Sequence, residues 1–195
     1  CVLLSLKQEN NRVASECLMY LGTTQRRLFL YSEAENSYHQ ALSINPEIQP
    51  KEEIKIKRLL GLVYESGFNN YNQAIIYFND ALVLAEKNQE DKQQHLLLLD
   101  LARTYRQRGD YEKAFSYLNS ILGGENKVQK KLLVEAELEG AKNYWYQGKY
   151  RLAKISQRKA LANAVNNSDN FLKIQALSLG GLIALNQGQL GEAEQ

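Results

Sequence analysis

Apolar and small residues recur along the chain at positions that fall on one face of an α-helix. Five alanines mark this recurrence, separated by 40, 40, 39 and 40 residues: Ala34, Ala74, Ala114, Ala153 and Ala193. A tyrosine or leucine stands three residues before each alanine, and the eighth residue after it is leucine in all four complete units. Apolar residues predominate at the fourth and seventh positions after it. These offsets follow one helical face, so each segment predicts an amphipathic helix.

A second set of small residues precedes the alanines by 12 or 13 positions. It consists of Gly22, Gly61, Ala102, Ala141 and Gly181. Glycines at positions 109, 148 and 188 fall between the two sets, where a glycine ends one helix and permits a tight turn. Each unit therefore predicts a helix A, a short turn and a helix B. The small residues allow the two helices to approach closely.

This pattern resembles the tetratricopeptide repeat, whose signature is Leu-Gly, a Tyr, Gly-x-Tyr-x-x-Ala and a later aromatic residue, Ala and Pro. In the first unit the matching residues are Leu21, Gly22, Tyr31, Ala34, Tyr38, Ala41 and Pro46. In the third unit they are Leu101, Ala102, Tyr105, Gly109, Tyr111, Ala114 and Leu118. The resemblance implies an all-α fold, a right-handed superhelical solenoid of antiparallel helix pairs.

The repeat length departs from the family standard of about 34 residues. The longer spacing of the alanines is similar to that of maltose-regulator-type activators and kinesin light chains. We expect one solenoid in which residues 1–10 are the tail of a preceding helix B. The repeats follow at 11–48, 49–89, 90–126, 127–167 and, for a partial fifth, 168–195. Since neither end shows a polar capping helix, we expect a fragment of a longer array.

Charge and cysteine content narrow the class of partner and compartment. With 24 basic and 22 acidic residues, the chain has no general positive field, which argues against nucleic acid and anionic membranes as partners. The apolar runs are too short to span a bilayer. Cys1 and Cys17 do not suggest a disulfide framework, so we expect a reduced, cytoplasmic setting with Cys17 as a small packing residue.

No catalytic or cofactor-binding pattern stands out in the sequence. His39 and His95 lack Cys or carboxylate neighbours at the spacing of metal ligands. Gly123-Gly124 and Gly180-Gly181 do not follow strands and lack the Gly-Lys-Ser/Thr ending of a phosphate loop, so helix termination and close packing explain them better. We therefore expect a protein that is not an enzyme and holds no metal or cofactor.

The resemblance implies that the A helices line a concave groove. At matching positions of these helices the sequence concentrates basic and aromatic residues, which we expect to form the partner site: Arg26, Arg27, Arg103, Arg106, Lys142, Trp145 and Tyr146. Such residues are enriched at binding hot spots and would suit a peptide with carboxylates and an apolar anchor. On this hypothesis Arg106→Glu or Trp145→Ala abolishes binding without unfolding. The alternative is structural: Arg106 stacks on Trp145.

One known mode of the family is disfavoured by the residues present. The clamp for chaperone tails needs Lys and Asn on one A helix, and Lys and Arg on another. The matching pairs here are Met19/Thr23 and Leu99/Arg103, of which only Arg103 fits. A partner other than a chaperone tail is therefore expected.

Two functions remain open. The first is a protein-interaction scaffold within a larger regulatory or signalling protein, and the second is a regulatory arm of a multidomain enzyme or ATPase. Self-association is also expected if apolar residues at the C-terminal side are exposed, namely Leu182, Leu185 and Leu190.

Overall fold

The structure, a computed structural model, describes residues 10–124, 128–186 and 188. Within these ranges it contains helices and turns but no β-strand, which confirms the all-α prediction. The helices are α1 (Asn11–Arg27), α2 (Tyr31–Ile44), α3 (Pro50–Ser66), α4 (Tyr71–Lys87), α5 (Asp91–Gln107), α6 (Tyr111–Leu122), α7 (Lys130–Tyr146), α8 (Tyr150–Asn166) and α9 (Asn170–Asn186). Residues 1–9 of the helix B tail predicted at 1–10, and the helix B expected from Leu190, lie outside the described residues.

The chain divides into two compact units, residues 1–97 and 98–195. In the first unit α1 pairs with α2, and α3 pairs with α4. Tyr38 is fully buried against the helix A of its pair, and a Cβ at Gly22 would lie 2.7 Å from its ring. Phe78 covers Gly61 in the same way. The small residues on the A helices thus make room for the aromatic residues of the B helices, as the sequence predicts.

In the second unit α7 packs against α8, α8 against α9, and α6 against α7. The core consists of alanines of α8 and branched residues of α7 and α9, such as Ala153, Leu138 and Leu172. Gln157 interrupts the apolar face of α8, yet it is buried because its side-chain amide donates 2.7 Å to the carbonyl of Ala176. Gly180 leaves the space that this side chain occupies. Close packing thus accounts for Gly180, as expected.

Turns that follow several of the helices contain a residue in the left-handed region. Gly109, Gly148 and Gly188 have φ of 88°, 70° and 72°, which glycine adopts without steric cost. In the first unit, Phe29 and Asn69 take this role with φ of 62° and 50°. The turns predicted at the three glycines are therefore confirmed.

Cys17 differs from the sequence expectation. It lies on α1 and is disulfide-bonded, so it is not the reduced packing residue that the sequence suggested. Two cysteines without a framework pattern gave no signal of this bond. Because disulfides persist in oxidising compartments, the bond removes the argument from reduced thiols for a cytoplasmic location.

Candidate functional site

Five of the seven predicted site residues lie in the second unit, and the structure brings them together. Arg103 and Arg106 are on the last turns of α5, while Lys142, Trp145 and Tyr146 are on the last turns of α7. A cleft of about 450 Å³ opens here toward α9. Its lining includes Arg106, Lys142, Trp145, Tyr146, Ile174 and Leu182.

The three cations of this region are paired with one buried carboxylate, Glu139 of α7. Arg106 donates from Nε and Nη2 to Oε2 at 3.2 and 3.1 Å, and Lys142 donates from Nζ to Oε1 at 2.7 Å. The Nε atom of Arg103 lies 3.7 Å from Oε1, and this residue also pairs with Asp100 at 3.4 Å. Arg106 is only 9% exposed. The basic residues are therefore an ion-pair cluster, and Arg106 holds α5 against α7.

The ionisation of Glu139 reflects these neighbours. Burial raises the pKa of this carboxyl, but the charges of Lys142, Arg103 and Arg106 outweigh that effect and hold its pKa below the usual range. Glu139 is consequently ionised at neutral pH. A carboxylate introduced at Arg106 would stand beside it, so Arg106→Glu would destabilise the unit, contrary to the sequence expectation that it affects binding alone.

The aromatic residues pack differently from the predicted stacking of Arg106 on Trp145. The guanidinium carbon of Arg106 lies 4.9 Å from the ring centroid of Tyr146, and Trp145 meets Tyr146 edge to face at 4.8 Å. Tyr146, the last residue of α7, is therefore the aromatic partner of Arg106. Among the described atoms, Trp145 Nε1 is buried and has no hydrogen-bond partner.

An apolar wall forms the other side of the cleft. Ile174 and Leu182 of α9 are 62% and 46% exposed, although they are large aliphatic residues. Tyr146 faces them from α7 with 54% of its surface exposed. Exposed apolar surface that forms one wall of a cleft is typical of a binding surface.

A second cleft of about 280 Å³ adjoins the first, since both include Lys142 and Gln175. It contains Glu135 of α7 and Phe171 of α9. Burial raises the pKa of Glu135, because the charges of Lys131 and Arg103 that oppose the shift do not outweigh it. In the described part of the chain, the side chain of Glu135 forms no hydrogen bond or ion pair.

Comparison with known proteins identifies the architecture. A family model described as tetratricopeptide repeat matches residues 97–131. The match covers this part of the chain, which is therefore similar to the tetratricopeptide repeat. No curated protein sequence gives a significant match to it.

Three solved structures share the tetratricopeptide-type fold. BtubC (BKLC) from P. vanneervenii is 18% identical, with a TM-score of 0.76 over 98% of this chain and 80% of that chain. The apo form of RapI is 17% identical, with a TM-score of 0.77 over 92% and 66%. PilW, a widely conserved type IV pilus biogenesis factor, is 18% identical, with a TM-score of 0.72 over 99% and 86%. At these identities the likeness establishes the fold, a helical-repeat solenoid.

The positions of the tetratricopeptide chaperone clamp are unsuited to that role in this chain. Met19 and Leu99, which occupy the two lysine positions, are buried in the packing between helices. Thr23 donates its hydroxyl to the carbonyl of Met19 at 2.9 Å. Only Arg103 matches the clamp, and it is already paired with Asp100 and Glu139.

Arg26 and Arg27 were also predicted as site residues. They are the last two residues of α1, which belongs to the first unit.

Sequence reasoning missed the acidic residues and the apolar wall. Glu139 precedes Lys142 by three residues, and Asp100 precedes Arg103 by three, a spacing that places each pair on one helical face. This signal could have indicated that the cations are paired. The exposure of Ile174 had no such signal, because α9 also carries aliphatic residues that are buried, such as Leu172 and Leu179.

Two further observations bear on the class of protein. Of the helices described, none combines the length and apolarity needed to cross a bilayer. No three His, Cys, Asp or Glu side chains are grouped as metal ligands in the described ranges. Tetratricopeptide-type folds generally serve as non-catalytic scaffolds.

Proposed function

We propose that this chain is a protein-interaction scaffold that binds a peptide or helix of a partner in the groove between α7 and α9. The observation that carries the proposal is the cleft in which Ile174 and Leu182 stay exposed opposite Tyr146. The neighbouring Arg and Lys side chains are held in ion pairs with Glu139. We therefore assign the binding energy to the apolar wall, while the ion pairs keep the groove rigid. We further propose that the chain is a segment of a larger regulatory or signalling protein.

A peptide-display experiment tests the groove. Random twelve-residue peptides are selected on the wild-type chain, and the dissociation constants of enriched peptides are measured by fluorescence polarisation. Ile174→Glu places a charge in the cleft and is expected to weaken binding at least about tenfold, the effect of removing about 1.4 kcal/mol. Ile155→Glu on α8 is the matched control, because Ile155 is 59% exposed and lies outside the cleft. Equal binding by both variants would refute the groove.

The compartment and self-association belong to this proposal as well. The cytoplasmic expectation rested on reduced cysteines, and the Cys17 disulfide gives it no support. Leu182 and Leu185 are both about half exposed, consistent with self-association, whereas Leu190 lies outside the described residues. Light scattering of wild-type chain and a Leu185→Glu variant would show whether any oligomer depends on this surface.

A further inference from the structure

We infer that the groove prefers a partner segment with a basic side chain about four or five residues from a large apolar one, and that Glu135 selects the basic residue. This inference rests on the proposed binding function and names the chemistry of the partner. It differs from the sequence expectation of an acidic partner, because the cations of the groove are paired with Glu139.

The cations of the groove are already occupied. Glu139 accepts from Arg106 and Lys142 and lies within ion-pair distance of Arg103. Lys131, another cation near Glu135, pairs with Asp169 at 3.7 Å. An acidic peptide would have to compete with these short contacts, one of which, Lys142 to Glu139, is 2.7 Å long. The paired cations therefore offer little to an incoming carboxylate.

Glu135 is in the opposite situation. It lines the cleft beside Phe171, it is partly buried, and its side chain forms no ion pair among the described residues. Arg103 and Lys142 line the same cleft, but both are paired with Glu139. Burial penalises its charge and raises its pKa. A carboxylate kept in such a place without a partner reduces stability and is typical of a binding position. A ligand ammonium or guanidinium placed against Phe171 would supply both the missing charge and a cation–π contact.

The spacing of the two subsites sets the length of the recognised segment. Glu135 and Tyr146 lie on one stripe of α7 and are eleven positions apart, which corresponds to about 16 Å along the helix axis. An extended chain covers this distance in about five residues. The basic residue would bind at Glu135, and the apolar residue would fill the space between Tyr146 and Ile174.

The experiment selects twelve-residue display peptides on the wild-type chain and keeps those that no longer bind the Ile174→Glu variant. The frequencies of basic and acidic residues in these peptides are then compared. Enrichment of Lys or Arg, with at least about tenfold weaker binding to Glu135→Lys and weaker binding at high salt, is the expected result. A peptide in which Glu replaces the basic residue should bind Glu135→Lys better than wild type.

The possible failures are distinguishable. If groove-dependent peptides are enriched in Asp or Glu, or bind Glu135→Lys as tightly as wild type, the inference about Glu135 is overturned and the proposed groove stands. If no peptide depends on Ile174, both are overturned. Glu135→Gln removes the charge but keeps the side-chain shape. If it weakens peptide binding, but less than Glu135→Lys does, the effect is due to charge. Circular dichroism of each variant verifies that the fold is retained.

Discussion

Removing Glu139 is the sharpest perturbation of the ion-pair cluster, because this one carboxylate is within ion-pair distance of three cations. In Glu139→Leu, Arg103 and Lys142 can turn toward solvent, since about a third of each side chain is already exposed. Arg106 cannot, because it is 9% exposed and its guanidinium lies against Tyr146. Breaking a buried pair by removing one partner costs about 3–5 kcal/mol. We expect about 3 kcal/mol here, the lower end, because the contact with Tyr146 remains.

The reverse removal should cost less, and this asymmetry tests the reasoning. Arg106→Met leaves Glu139 paired with Lys142 at 2.7 Å, so no buried charge is left unpaired. The double variant Arg106→Met/Glu139→Leu replaces the buried pair by apolar side chains, which is often neutral, so we expect it to recover to within about 1 kcal/mol of wild type.

Urea denaturation followed by circular dichroism measures these free energies of unfolding at neutral pH. The lowered pKa of Glu139 means that its stabilisation is present above the unfolded pKa of about 4.3 and is lost as pH falls toward the folded value. Wild type should therefore lose more stability than the double variant on acidification. A loss below about 1 kcal/mol for Glu139→Leu, or a double variant no more stable than Glu139→Leu, would refute the reasoning.

Three further predictions follow from packing, pKa and covalent structure. Gly61→Ala should lower the free energy of unfolding by about 1–3 kcal/mol, since its methyl group would overlap the ring of Phe78. Gly140→Ala, whose methyl group meets only atoms 3.9 Å away, should instead raise it by about 0.5–1 kcal/mol in the same urea titration. Glu135→Gln should be more stable than wild type at neutral pH, because a raised pKa means that stability is lost as pH rises above the unfolded value. The stability difference between Glu135→Gln and wild type should grow from pH 4 to pH 8, and a difference that does not change with pH would contradict this. The unreduced, denatured chain should show no thiol at Cys17 in a thiol-reagent assay, and a reactive thiol there would contradict the disulfide.

The helices were predictable because the repeat applies the same packing rule in successive units. Ala34 and Ala153, in different units, are both fully buried, and the small residue Gly22 faces an aromatic residue of the paired helix. A regular spacing of such residues determines where helices begin and which face is buried. The disulfide of Cys17 was not predictable in this way, because two cysteines carry no periodic signal.

The candidate site was predictable only in part, because the meaning of a charged residue depends on what lies across from it. Matching positions on α5 and α7 correctly brought Arg106 and Lys142 together, but whether they bind a partner or one another depended on Glu139, which packs between them. The same dependence applies to Glu135. In the sequence it cannot be told from a surface glutamate, whereas in the structure its side chain is partly buried and forms no ion pair. A repeat fixes the frame of the groove by periodic apolar contacts, whereas its charge balance depends on non-periodic residues. The specificity of the groove therefore depends on which charged side chains are already paired. Here the proposed groove leaves the carboxylate of Glu135, rather than a cation, available to a partner.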